Sequence, residues 1–384
     1  MTAPSVNLPT ARDENWKYAN LRGLARARFE PSAAPSEDAL ARVAAALPAP
    51  LEGYERVVLV DGHLATSLSS VDASAAPTRS TVSRLETDRA FADLNRRLCT
   101  ETAAITVKAH QKRAVEMIVV ALGTSHPAIE LTLAEGSELA FIERHLPLSG
   151  ESTITNLAIS ARVGAHARLE LSRIVQAGAK AQHVETLELH LDEGSSSKLV
   201  QLTTGATASR TTAFVDHAGR DSSLEWHAAA LGEGTQSHDS YVRIAHSAPS
   251  ARTLQQFRGI ASGRSRVSFN GHMRVDAISP NAQSDQSLKC LLAGPEAEAD
   301  VRPQLEIYTD AVKASHGATV GKLDPDMLFY LLSRGIPEDA AAALLKWAFV
   351  SDVLTRLPNP ALRTAVEHSL EALLPGAVAA RSST

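Results

Sequence analysis

The residues able to do chemistry in this chain are its fourteen histidines and two cysteines, so the first question is whether any of them cluster. No two histidines have the His-x-x-x-His spacing that sets two ligands on one helix face, and no His-Glu-x-x-His occurs. Cys99 and Cys290 are too distant in sequence for a Cys-x-x-Cys metal knuckle. One imidazole stands apart. In Pro303–Gly321, Leu305 and Ile307 fall on one face of a short predicted strand and Gln304 and Glu306 on the other; Ser315-His316-Gly317 then reads as a turn leading into helices. Gly317 and Gly321 would allow close backbone approach. The pattern alone leaves His316 open between a functional residue and an ordinary turn histidine. His190 and His272 take outward strand positions and His166 a strand start, and all three read as solvated surface histidines.

Other chemistries are poorly served. Gly317–Leu323 looks like a phosphate-binding loop, but it is one spacer short and has Leu323 where Ser or Thr must hold magnesium. Gly-x-Ser-x-Gly, the serine hydrolase elbow, is missing. A carbohydrate-active β-helix enzyme could draw on Glu188, Arg243 and Arg274, but scattered exposed charges are the expected background.

The elements that position these residues fall into three stretches: a mainly helical unit with a short hairpin (1–103), a parallel β-helix (104–321) and a helical unit (322–384). In the first, Ala33–Pro35 and Pro48–Pro50 break the chain into short pieces, Arg56–Val60 reads as a strand turned by Asp61-Gly62, and Phe91, Leu94 and Leu98 mark an amphipathic helix. In the second the period is two: Leu187, Leu189 and Leu191 alternate with Glu188 and His190, and Val267, Phe269, Met273 and Val275 with Ser268, Asn270, His272 and Arg274. Turn glycines at Gly164, Gly194 and Gly219 are each followed five residues on by Leu169, Leu199 and Leu224, a repeat of about 25 to 30 residues that fits one coil of a solenoid. The competing architecture is an antiparallel sandwich. In the third stretch Asp324-Pro325 and Asn359-Pro360 are helix starts and Gly335 a stop; Leu345, Phe349 and Val353 should share one face, as should Leu362, Val366, Leu370 and Leu373. Such helices could cap the solenoid's core or dock a partner.

With 384 residues, a net charge of −5 and 21% charged side chains, the chain can bury a large core and has no electrostatic footprint for nucleic acid or anionic membrane. No apolar run is long enough to span a bilayer, and Met1–Trp16 lacks the basic-then-apolar pattern of an export signal, so a cytoplasmic location is expected.

Several blocks resemble the SufD family of iron–sulfur cluster assembly scaffolds. They are Leu8–Tyr18 (with Pro9-Thr10 and Trp16-Lys17-Tyr18), Asn281–Leu292, Glu296–Asp300, Pro303–Tyr308, Ser315–Gly321 and Leu328–Pro337. The resemblance implies a right-handed parallel β-helix between helical units. It also implies a non-catalytic role, pairing with SufB through the β-helices, docking of the ATPase SufC on the C-terminal helices, and a transient cluster at the SufB–SufD junction. His316 is the implied ligand on this side; many relatives have cysteine where this chain has Ala314. A chain that holds such a cluster alone normally brings about four ligands, mostly thiolates, so here a partner must supply most of them. Which of Glu296, Glu298 and Asp300 faces the junction is open. A generic solenoid interaction protein is the alternative.

Overall fold

The structure, a computed structural model, describes residues 8–71, 74–76, 87–148 and 150–375; the end of the C-terminal unit, 376–384, lies outside the described residues. The chain winds between two ten-stranded sheets, here the front and the back sheet, which are parallel except for short antiparallel partners at the first end. In the front sheet Arg168–Ala177 pairs in parallel with Ser196–Gly205, and that with Ser223–Gly232; the strands between them in sequence belong to the back sheet. This is the expected solenoid and rules out the sandwich. Glu55–Val60 is not confined to its hairpin, because it also pairs in parallel with Lys112–Val120 and so extends the front sheet.

Side chains alternate across each strand, and the inward ones stack rung on rung. Val115, Phe141, Leu171, Leu199 and Trp226 form one such column of the front sheet, facing Ile159, Leu187, Ala213 and Val242 of the back sheet. The leucines after the turn glycines do not share a single column. Leu169 and Leu224 line up through Ser197, whereas Leu199 stands one column further on.

The outer faces are apolar too, and helices cover them. Helix α1 (Glu37–Ala46) lays Val43 against Val58, Val60, Ile118 and Val120. Helix α2 (Ala90–Leu98) packs Phe91, Leu94 and Leu98 with Trp16 and Leu24 against Val184 of the back sheet. After the last strand come α3 (Pro325–Ser333), α4 (Glu338–Leu354) and α5 (Pro360–Leu370). The last two cover Ile142, Ile174, Val200, Leu202 and Ile260 on the outside of the front sheet. Leu362, Val366 and Leu370 are buried as expected. In α4 the buried residues are Ala341, Ala343, Trp347, Val350, Val353 and Leu354, with Leu345 and Phe349 on the half-buried flank. That helix is apolar nearly all round, so its pattern did not single out a face. Among the described residues no helix is long and apolar enough to cross a membrane.

Candidate functional site

The front sheet ends in Val312–Lys322 and the back sheet in Glu298–Ile307. Each of these strands is paired along one edge only. Ser315-His316-Gly317 is therefore not a turn, as the sequence was read, but the middle of the last strand. Parallel pairing with Ala282–Ala293 supplies the extended backbone that the local glycines had argued against.

The register decides where His316 points. It pairs with Gln286, which pairs with Gln255, then Trp226, Leu199, Leu171 and Phe141, the inward column of the core. His316 holds the inward position of a rung with nothing stacked on it, so its ring is exposed at the open end of the solenoid. Ala314 and Ala318 flank it on the same face and Val320 lies beyond, leaving space around the imidazole. Ser315 faces outward and donates to Asp285 at 2.5 Å.

The remaining candidates lie elsewhere. Cys290 is one rung in, directly beneath Val320, and burial pushes its thiol up to about 12, so it packs as a neutral apolar group. Cys99 is the C-terminal cap of α2, far from the open end in the fold. Asp300 lies on the outward face of the last back-sheet strand, 2.6 Å from Arg266, which also reaches Glu298 at 3.7 Å. Among the described residues no group of three or more His, Cys, Asp or Glu side chains could hold a metal ion.

His190 is flanked by Asp192 at 3.1 Å and Asp216 at 3.6 Å, and His272 is half-buried against Glu306 at 3.2 Å. His166 occupies a turn with φ 56°, where it packs beside Gly194. Glu188, Arg243 and Arg274 do share one feature, a groove of about 700 Å³ on the outer face of the back sheet. There Glu188 is paired with Arg89, and Arg274 with Asp276 at 2.7 Å. Gly317–Lys322 continues the edge strand, leaving Leu323 and Asp324 alone between it and the helix that follows, so there is no glycine-rich loop to cradle a phosphate.

Immediately after this edge comes α3. Asp324 caps it, accepting from the backbone N–H groups of Asp326 and Met327, and the helix buries none of its residues. Met327, Phe329, Tyr330 and Leu332 are all exposed, Phe329 by 71%.

A family model described as SUF system FeS cluster assembly, SufBD core domain, matches residues 117–349, from the early front-sheet strands into α4. The chain belongs to the SufBD family. It is similar over its length to the iron–sulfur cluster assembly protein SufD of Escherichia coli, at 28% identity covering 97% of this chain and 90% of that one. A SufBD family protein of Synechocystis matches at 24% over 94% of this chain and 86% of its own. SufD of Bacillus subtilis reaches 31% identity over a shorter stretch, 33% of this chain and 29% of its own. Both the family resemblance drawn from the sequence and the β-helix it implied hold, and the family's role is iron–sulfur cluster assembly.

Proposed function

We propose that this chain is a SufD-type, non-catalytic scaffold subunit acting in the cytoplasm. In this reading it pairs through the open end of its β-helix with a SufB-type partner and docks a SufC-type ATPase on its C-terminal helices. His316 is then its ligand to a cluster nascent at the junction. The observation that carries this reading is the open end itself: two parallel sheets finish together in edge strands whose outer side is unpaired, with His316 at the inward position of the last rung. Pro303 and the charges of Glu298, Asp300, Arg302 and Glu306 blunt the back-sheet edge, but Val312–Lys322 is charged only near its two ends, at Lys313 and Lys322, and such an uncovered edge strand is a template for a strand of another chain. Ile307 and Val320, 40% and 46% exposed, add apolar area to that surface. The uncovered aromatic side of α3 supplies a second, separate docking face.

The chemistry fits a cargo role. A neutral imidazole is a borderline ligand for iron, and mixed histidine–thiolate ligation is established for clusters, so a partner thiolate can complete what one histidine begins.

Co-expression of the tagged chain with SufB- and SufC-type subunits tests the proposal. A stable complex containing both is expected, and His316→Ala should leave that complex intact while cutting cluster yield at least several-fold. Recovery of neither partner with a folded chain rejects the scaffold role, and undiminished cluster yield removes His316 from the mechanism.

A further inference from the structure

The inward column that ends at His316 changes character along the solenoid. Phe141, Leu171 and Leu199 are apolar; Trp226, Gln255 and Gln286 follow, all of them buried. Gln286 donates its Nε2–H to Oε1 of Gln255, one rung further in, at 2.6 Å. Its own Oε1 is buried without a partner. Stacked in-register amides form ladders in which each side chain donates one way along the stack and accepts from the other. An amide at 286 that donates inward therefore offers its acceptor to the next rung out, and the residue there is His316. Beneath Gln255 the ladder stops at Trp226, whose indole N–H is a donor only, and Nε2 of Gln255 is buried without a partner. Trp226 also lines a cavity of about 10 Å³ whose walls include Gln201 and Thr211 but also Val242, Phe257 and Phe269. The opposite sheet makes space for the amide: Gly271 faces it, and a Cβ there would collide with Gln286 Nε2.

We propose that Gln286 is the positioning residue of His316. Its Oε1 accepts one imidazole N–H, fixing the ring and its tautomer and leaving the lone pair of the other nitrogen directed out of the open end. A ligating histidine commonly donates its second nitrogen in this way, which orients the ring and raises its basicity. The inference rests on the reading of His316 as a ligand, but its test does not.

The test is imidazole nitrogen NMR of the full chain labelled with ¹⁵N-histidine, at about pH 8, where an ordinary histidine is neutral; His316→Ala assigns the resonance. The wild type should show one dominant tautomer and an N–H in slow exchange with water. Gln286→Leu removes the acceptor, and Gly271→Ala displaces the amide from the other sheet without touching it. Either change should convert the signal to a mixture of tautomers and abolish the slow N–H. The other histidine resonances report whether each variant is folded, and a variant that fails to fold leaves the question to the other. Unchanged tautomer populations in a folded variant overturn the proposal whatever the cluster yield, whereas a normal tautomer shift with full cluster yield in His316→Ala would overturn only the ligand reading.

Discussion

Inside the solenoid, midway between its ends, the core is ionic. Arg173 is fully buried with its guanidinium on two carboxylates, Glu143 at 2.8 Å and Glu185 at 2.8 Å. His145 and His183 complete the cluster, at 2.6 Å from Glu143 and 2.8 Å from Glu185. Burial works against the charged carboxylates, but Arg173 and the hydrogen bonds outweigh it and hold Glu143 down to about 2 and Glu185 well below its ordinary value. Arg173→Leu would strand two buried negative charges and should cost about 3–5 kcal/mol in urea unfolding, while replacing the whole cluster by apolar residues should cost much less. Stability should also depend on acidity in two steps. Burial lowers the pKa of His238 and His246 to about 4 and holds that of His217 well below its ordinary value. Below about pH 6.5 the unfolded chain therefore binds protons that the folded chain does not, and stability should fall as pH drops from there toward 4. The buried carboxylates add a second loss below about pH 4.5, as the unfolded chain takes up their protons first. Chemical denaturation across that range checks both steps; a flat profile between pH 6.5 and 4 would contradict the first.

At the scale of elements, seven successive coils turn through a left-handed residue at one fixed point, occupied by His110, Gly136, His166, Gly194, Asp221, Ser250 and Asn281. Backbone hydrogen bonds pass from each turn to the next, as from His166 to Glu193, Asp221 to Pro249 and Asn281 to Ala311. Only Gly136 and Gly194 meet the requirement with glycine. The turn repeat was thus only partly legible: Gly164 and Gly219 belong to the same turns but serve close packing on the preceding coil. Helix α3 was legible in its cap and invisible in its exposure. Asp324→Ala should weaken it by about 1 kcal/mol, read as faster amide exchange confined to α3. Because α3 buries none of its residues, Phe329→Ser with Tyr330→Ser should leave the thermal midpoint within about a degree, and if α3 is the docking face proposed above, capture of a SufC-type ATPase should drop at least tenfold.

At the scale of the whole molecule, the open end is the unusual feature. The N-terminal segment is tied to it as well, through Glu14 to Arg302 at 2.6 Å across the outer face of the back sheet. If the end is a docking edge, Ile307→Glu with Val320→Glu should abolish pairing with the SufB-type partner and shift the isolated chain's stability by no more than about 0.5 kcal/mol, since both side chains are already exposed. Size-exclusion chromatography of the co-expressed pair and a urea titration of the single chain separate the two effects.

The sequence by itself determined the local chemistry of this protein. Alternation along Val184–Leu191 and Val267–Val275 set which side chains face in, Asp324 and Asn359 set where helices start, and the blocks around His316 pointed to the family. These depend on neighbours a few residues apart, which a single chain displays directly. Only the tertiary structure decided that Ser315-His316-Gly317 is strand, because its extended backbone is held by pairing with residues about thirty positions earlier. It alone decided that His316 ends a column begun by Phe141, that Gln286 lies behind it, and that Glu143, Arg173 and Glu185 meet inside the core. Register between rungs is a long-range property: each rung varies in length, so the residue stacked on another cannot be counted off until the coil has closed.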